Sequence, residues 1–378
     1  MTKHLIIGNG VAGTTAAQTI RKNNPDDSIE MVTKESVPFY SRIRLPDVVA
    51  GIAGKSDLII KKDQWYTDNK INLHTGVIIV NIDHLKKQAK DQTGKIWEYD
   101  SLLLATGSNP FVPPIDGSTK TNVFTLRSLE HAENILKAAD NAKKVVAIGG
   151  GLLGLEAAYA LIKKGLDVTI VEFFDRLLPR QVDGEGALML KSMLEAKGFK
   201  FRLGAKTKKI QGDKSVSGVE LDTGEVLPCD LVLISAGVRP DLALPEILNL
   251  KTDQGLIVDE HMETSLKGVY AAGDIAQFNK INFCIWAEAQ EQGKVAGANM
   301  AGLEKKFETI VPSTRLKVAE IDLASAGDID PDNKLESEIK KTDKIYQKFV
   351  RKNRQLAGCI MLGDITGFSN AVKEIGKV

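Results

Sequence analysis

Two short stretches show chemistry through spacing alone: Gly8-Asn9-Gly10-Val11-Ala12-Gly13 and Gly149-Gly150-Gly151-Leu152-Leu153-Gly154. Each reads Gly-x-Gly-x-x-Gly. In such a turn the first glycine makes a tight bend. The second lets backbone approach a pyrophosphate, and the third lets helix and strand pack closely. The N–H groups that open the next helix then face the negative charge. One such turn is weak evidence, because glycine-rich turns also serve structure alone. Two copies, each between a strand and a helix, point to two dinucleotide sites.

The elements that must position these turns are legible around them. Leu5-Ile6-Ile7 is a short buried strand, and an alanine-rich helix follows the first turn to Asn23-Asn24-Pro25. The next strand is Ile29 to Val32. The pattern returns as a strand at Val145 to Ile148, a helix to Lys164, a stop at Gly165 and a strand at Val168 to Val171. This is a repeat of supersecondary units and not a solenoid. The second unit closes on Glu172, 23 residues after Gly149. A carboxylate there accepts the ribose hydroxyl protons of an adenosine and repels a 2′-phosphate. Phe173, Phe174 and Asp175 follow, so no cation stands immediately beside it, although Arg176 and Arg180 come soon after. NADH is therefore expected ahead of NADPH. The first unit ends in Thr33-Lys34-Glu35, its carboxylate displaced by two residues, and Glu35 is the candidate for a ribose there.

The chain has 378 residues, which implies two or three domains. Hydrophobic content of 43% and charged content of 26% are ordinary for a globular protein. A formal net charge of +1 argues against a nucleic-acid footprint. No apolar run approaches membrane-spanning length, and no leader precedes the first strand. The expectation is a cytoplasmic protein without nucleic-acid or membrane partners. Three cysteines, Cys229, Cys284 and Cys359, lie far apart and form no Cys-x-x-Cys. Five histidines, His4, His74, His84, His131 and His261, show no metal-ligand spacing, and no serine–histidine–acid grouping is expected.

Further landmarks come in order. Leu102-Leu103-Leu104-Ala105-Thr106-Gly107 is a buried strand running into small residues, and Pro113-Pro114-Ile115-Asp116-Gly117 reads as a crossing between domains. A second apolar strand, Leu231 to Ile234, runs into Ser235-Ala236-Gly237-Val238-Arg239-Pro240. Gly268-Val269-Tyr270-Ala271-Ala272-Gly273-Asp274 follows. Together these residues resemble the FAD-dependent pyridine nucleotide oxidoreductases, the flavoproteins with two dinucleotide-binding domains. The resemblance is nearest to the rubredoxin reductases and to the flavin module of assimilatory nitrite reductases.

That resemblance implies an α/β protein with two Rossmann-like domains and a small α+β C-terminal domain. The NAD domain is inserted in the FAD domain: FAD at 1–112 and 248–308, NAD at 113–247, and an interface domain at 309–378. Lys344 to Val350 and Leu356 to Leu362, around Lys352-Asn353-Arg354, read as a hairpin of that last domain. The implied FAD contacts are Gly8, Gly10, Val11, Ala12, Gly13, Glu35, Arg42, Val77, Ala105, Thr106, Gly107, Gly273, Asp274 and Trp286. For NAD they are Gly149, Gly151, Leu152, Leu153, Gly154, Glu156, Glu172 and Gly237.

The chemistry implied is hydride transfer from NADH to FAD, then delivery of electrons to a small redox protein such as rubredoxin. Thiol-dependent relatives carry cysteine in the segment equivalent to Pro38-Phe39-Tyr40-Ser41-Arg42-Ile43-Arg44-Leu45-Pro46, which has none here. Arg42 is the candidate to neutralise FAD phosphates or place the ring. Many relatives pair a lysine with the glutamate that Glu156 matches, but Asp47 stands in the lysine's place. Glu156 itself is read as lying in the first turn of its helix, either suiting the helix dipole or holding the nicotinamide amide. The alternatives left open are an NADH-responsive flavoprotein that acts mainly as a binding switch, a ferredoxin reductase and an NADH oxidase. Monomer and homodimer are equally open.

Overall fold

The computed structural model of the chain describes residues 1–308 and 311–375. Its contacts divide into two compact units. The first comprises Met1–Ser41, Ser56–Asn109 and Val238–Ile310. The second comprises Arg42–Lys55, Pro110–Gly237 and the chain from Val311 on. By contact, 42–55 falls with the second unit and 238–247 with the first, a difference in grouping from the 1–112, 113–247 and 248–308 boundaries expected from sequence. The short helix Leu45–Val49 explains the first difference. It buries Leu45, Pro46, Val48 and Val49, and it packs against helices Leu129–Ala139 and Leu152–Lys163 of the second unit.

The first unit is built on a parallel five-stranded sheet. Its order is Val269–Ala271, Ser101–Leu104, Lys3–Ile7, Ser28–Thr33, Asn72–Thr75. The central strands are near-continuous apolar runs, as parallel strands covered on both faces must be. Leu5, Ile6, Leu102, Leu103 and Leu104 are wholly buried. Helix Val11–Asn23 packs closely on helix Trp286–Met300. Glycine makes this approach possible: a Cβ at Gly293 would stand 2.4 Å from the Ala12 carbonyl oxygen, and one at Gly297 2.5 Å from that of Ala16. A three-stranded antiparallel sheet, Ile79–Asp83, Gln88–Asp91 and Ile96–Glu98, is appended.

The second unit repeats the plan. Its parallel sheet has the order Lys200–Leu203, Asp167–Glu172, Lys144–Ile148, Leu231–Ile234, Val123–Thr125. The C-terminal part of this unit is an antiparallel sheet in the order Ser313–Val318, Ile321–Gly327, Gln355–Leu362, Tyr346–Lys352, Glu336–Lys341, with helix Phe368–Glu374 against it. The expected hairpin is present as Tyr346–Lys352 and Gln355–Leu362. Asn353 and Arg354 turn it with φ of 53° and 67°, the left-handed pair that a two-residue hairpin loop favours.

A buried ion pair fastens this sheet to the nucleotide-type half of the same unit. Lys348 Nζ, fully buried, lies 3.1 Å from Asp183 Oδ2 and donates to the Asp330 carbonyl and to Asn333 Oδ1. The Tyr346 hydroxyl donates to the same Asp183 oxygen at 2.7 Å. Asp183 Oδ1 accepts the Gly186 N–H, so the carboxylate also caps helix Gly184–Glu195. With its charge and its hydrogen bonds matched, the carboxylate tolerates burial.

Candidate functional site

The two glycine turns share one design. Gly8 has φ of +117°, and a Cβ there would sit 2.0 Å from the Ala105 carbonyl oxygen. A Cβ at Gly13 would sit 2.0 Å from the Gly8 oxygen. At Gly10 a Cβ would meet nothing within 4 Å among the described residues. The second turn matches it. Gly149 has φ of +110° and would meet the Ser235 oxygen at 2.3 Å, Gly154 would meet the Gly149 oxygen at 2.3 Å, and Gly151 would meet nothing. In each turn, then, the outer glycines are forced by protein backbone and the middle one borders open space. Helices Val11–Asn23 and Leu152–Lys163 begin there with no side-chain cap and no acidic residue in the first turn. Their first N–H groups, including those of Val11 and Ala12 and of Leu152 and Leu153, have no partner inside the helix. A cradle of this kind fits a pyrophosphate, and the chain has two.

Strand ends bring the other first-unit candidates to the same edge, the carboxyl end of a parallel sheet, where such folds bind ligands. Ala105-Thr106-Gly107 leaves strand Ser101–Leu104 directly against Gly8. Thr106 Oγ1 donates to the Asp241 carbonyl at 3.3 Å, and Gly107 accepts the Asp241 N–H. Gly273, at φ +85°, lies against Ala12 and gives its N–H to Gln292 Oε1 at 2.8 Å. The Asp274 carboxylate accepts the Ser108 hydroxyl at 2.7 Å, tying the Gly-Asp segment to the Ala-Thr-Gly segment. Trp286 opens its helix with the ring 5.8 Å from that of Phe39. Beyond strand Ser28–Thr33, Glu35 Oε2 accepts the Tyr40 hydroxyl at 2.6 Å, and Val77 gives its N–H to the Thr33 carbonyl. Glu35 and Val77 thus border the end of the second strand.

In the second unit Glu172 ends its strand 8% exposed. Its Oε2 accepts the Gly150 N–H at 2.5 Å and its Oε1 the Phe174 N–H at 2.9 Å, so the carboxylate is held over the glycine turn. Gly237 follows at φ +94°, with open space where a Cβ would be.

Glu156 and Arg42 differ from expectation. The helix begins at Leu152, so Glu156 is in its second turn and does not face the positive helix end. Instead Glu156 Oε1 accepts the Ala319 N–H at 2.8 Å, in the turn between strands Ser313–Val318 and Ile321–Gly327. Burial pushes its carboxyl above the ordinary range, against the pull of that N–H, and the negative charges of Asp47 and Glu320 add to the rise. Asp47 therefore acts on Glu156 as a like charge, opposite in sign to the lysine that the resemblance led one to look for there. Arg42 belongs by contact to the second unit and donates from Nη1 to the Arg127 carbonyl at 2.9 Å.

The cysteines form no disulfide. Burial pushes the Cys229 thiol up to about 12 and the Cys359 thiol up to about 11. Cys284 is exposed, with Sγ 2.7 Å from Asn282 Oδ1. Among the described residues no three histidine, cysteine or acidic side chains gather as a metal site.

Three features escaped sequence reasoning. A serine–histidine–acid chain does exist: His4 Nδ1 lies 2.7 Å from Ser101 Oγ, and His4 Nε2 lies 3.1 Å from Asp27 Oδ2. The His4 side chain is fully buried, which denies it a substrate. Burial also lowers the imidazole's affinity for a proton. The chain satisfies buried polar groups; it is not a nucleophilic site. Ser108 is the second feature. The third is a number of buried polar atoms without a hydrogen-bond partner among the described residues, Asn9 Nδ2, Glu288 Oε2 and Gln292 Nε2 among them.

Two Rossmann-like sheets, each with an open pyrophosphate cradle at its carboxyl edge, define an oxidoreductase of the double-dinucleotide class. Comparison with known proteins agrees. The pyridine nucleotide-disulphide oxidoreductase pattern matches residues 2–293, and the rubredoxin NAD+ reductase C-terminal domain pattern matches 312–377. The chain is 35% identical over 369 residues to a nitrite reductase [NAD(P)H] of Bacillus subtilis, covering 95% of this chain and 45% of the relative. It is 32% identical over 367 residues to an NADH-rubredoxin oxidoreductase of Clostridium acetobutylicum, covering 97% and 92%. The solved structure of the NADH:rubredoxin oxidoreductase from that organism aligns with a TM-score of 0.84 at 30% identity, over 99% of this chain and 94% of the other. The chain thus spans about half the length of its nitrite reductase relatives. It belongs to the pyridine nucleotide-disulphide oxidoreductase family, whose rubredoxin reductase members use FAD and NADH. No helix among the described residues is long and apolar enough to cross a membrane.

Proposed function

We propose that the chain is an NADH-dependent reductase that holds FAD on its first unit and passes electrons to a small electron-carrier protein such as rubredoxin. The observation that carries this reading is the doubled cradle, with closed outer glycines and an open middle glycine in both turns. FAD, when bound, supplies acceptance of a hydride and release of electrons singly. The protein's residues do the holding. Gly10, with Gly8, Gly13 and the N–H groups of Val11 and Ala12, takes the FAD pyrophosphate. Glu35 and Val77 border its adenosine end. Ala105, Thr106, Gly107, Gly273, Asp274 and Trp286 line the remainder.

Gly149, Gly151, Gly154, Leu152 and Leu153 do the same for NADH. Glu172 accepts from its ribose and rejects a 2′-phosphate, so NADH is preferred to NADPH by about tenfold or more, a difference of about 1.4 kcal/mol. Glu156 and Gly237 belong to the nicotinamide end. Electrons leave without a thiol relay, since the segment Pro38 to Pro46 has no cysteine and two of the three thiols are buried and held protonated.

Stopped-flow mixing of the NADH-reduced protein with rubredoxin tests the reading. Rapid reoxidation of the yellow chromophore is expected. Reoxidation no faster than oxygen alone produces would instead favour an oxidase or a binding switch. A protein that takes up no FAD would refute the reading altogether.

A further inference from the structure

The chain that follows Glu172 is clasped by a loop far from it in sequence. Strand Lys200–Leu203 runs parallel to strand Asp167–Glu172, and the residues after it fold onto that strand's end. The Gly204 N–H donates to the Phe174 carbonyl at 2.9 Å, and the Ala205 N–H donates to the Glu172 carbonyl at 3.1 Å. Lys206 comes next. Its N–H donates to Asp222 Oδ1 at 3.0 Å, and its carbonyl accepts the Asp222 N–H at 2.9 Å. Backbone bonds on both sides therefore fix where this side chain starts. Its ammonium stands over the Phe173 ring, 5.2 Å from the centroid, within the range at which an aromatic face attracts a cation. Phe173 directly follows Glu172 and is exposed.

Lys206 differs from the cations around it. Lys200 pairs with Asp167, Arg202 with Glu225, Lys208 with Glu220 and Lys209 with Asp116, each at 3.1 Å or less. Among the described residues the Lys206 ammonium has no such carboxylate; Asp222 spends Oδ1 on the backbone N–H instead. An unpaired ammonium braced on an exposed ring has a side free for an anion. Glu172 is held at both oxygens, by the Gly150 and Phe174 N–H groups, so it does not swing aside. A phosphate on the 2′-oxygen of a bound ribose is then turned outward, toward the chain that follows Glu172, where Lys206 waits. Of the arginines that sequence offers for this phosphate, Arg176 is half-buried and its charge acts on the Asp332 carboxylate.

We propose that Lys206 is a specificity-determining residue of the second cradle: its ammonium, braced on the Phe173 ring, takes the 2′-phosphate of NADPH and so limits the preference for NADH that Glu172 sets. This rests on the reading that the second cradle binds the dinucleotide with Glu172 on its ribose. Lysine acts on a phosphate as a point charge, so the charge and not the shape of the side chain carries the effect.

The test uses the FAD-loaded full-length protein, wild type against K206M, K206R and E172Q. Efficiency of dye reduction, as kcat/KM, is measured with NADPH and with NADH, and affinity for NADP+ and NAD+ is measured by titration calorimetry. In K206M the NADPH-to-NADH ratio should fall about tenfold in both measurements, and in K206R it should stay within about threefold of wild type. A K206M ratio within about twofold of wild type would overturn the proposal, and is the result expected if the phosphate rests on Arg180 instead. Equal losses with both dinucleotides would also overturn it, since Lys206 would then serve the site as a whole. E172Q tests the reading underneath. Its ratio should rise; an unmoved ratio would overturn the assignment of Glu172 to the ribose, while K206M still decides the role of Lys206. Wild type that binds neither dinucleotide would overturn both.

Discussion

Alanine at Gly8 and alanine at Gly10 should fail in opposite ways. They are two residues apart in one turn, yet the structure gives them different neighbours. At Gly8 the added methyl group would be 2.0 Å from the Ala105 carbonyl oxygen, on a backbone with φ of +117°. A non-glycine residue held in a sparsely populated backbone region costs about 1–3 kcal/mol. Forcing an extra carbon into packed structure costs about 1–3 kcal/mol more. A loss of roughly 2–6 kcal/mol is a large share of the 5–15 kcal/mol that typically holds a domain together. Gly10 has φ of −92° and ψ of −166°, ordinary for any residue, and open space around the site of its Cβ. There the fold should hold to within about 1 kcal/mol. What suffers is the approach of a pyrophosphate, since a charge-assisted hydrogen bond is lost at about 1.5–3 kcal/mol. FAD should bind roughly ten- to hundredfold more weakly. The assay pairs thermal unfolding of the FAD-free chain with FAD titration by fluorescence quenching. Gly8→Ala should lower the melting temperature severely, whereas Gly10→Ala should leave it nearly unchanged and lose FAD. Unaltered FAD affinity in Gly10→Ala, or unaltered melting in Gly8→Ala, would refute the reasoning.

Three further outcomes are expected. A variant with Cys229, Cys284 and Cys359 all changed to Ser should keep its yellow colour and NADH-driven dye reduction, and loss of turnover with flavin retained would count against a thiol-free route. Lys348→Met strands the Asp183 carboxylate in the interior and should destabilise the second unit by about 3 kcal/mol, whereas Lys348→Met with Asp183→Asn should lose much less than the sum of the single changes; additive losses in denaturant unfolding would deny the pairing. The His4–Asp27 pair should make acid unfolding two-staged. Burial lowers the His4 pKa from the ordinary 6.5, so its contribution is complete above that pH and falls as the unfolded chain gains a proton that the folded one resists. Burial pushes Asp27 up, but the Thr2 N–H, the Asn24 amide and His4 outweigh it and bring the carboxyl to about 2. Its contribution is present above about pH 4 and is lost as pH falls toward 2. Stability measured against pH for His4→Gln should lack the upper stage and keep the lower one, which the Thr2 N–H and the Asn24 amide still support; an unchanged profile would contradict this.

What the sequence determined by itself was local. Gly8 to Gly13 and Gly149 to Gly154 were legible because a phosphate turn is set by neighbours along the chain, and the flanking strands were legible because parallel strands buried on both faces are continuous apolar runs. Glu172 was legible for the same reason, as the end of a strand counted from its own turn. Tertiary structure decided whatever depends on partners distant in sequence. Ser101 and His4 are 97 residues apart, and Glu156 and Ala319, like Asp183 and Tyr346, are 163 apart. No spacing rule connects such pairs; packing of sheets and helices does. Glu156 shows the difference most plainly. Its motif looked like a helix start, but the helix begins four residues earlier and its carboxylate turns to the Ala319 N–H. Glu288 is set apart by burial, which strips its water and leaves one carboxyl oxygen without a hydrogen-bond partner among the described residues.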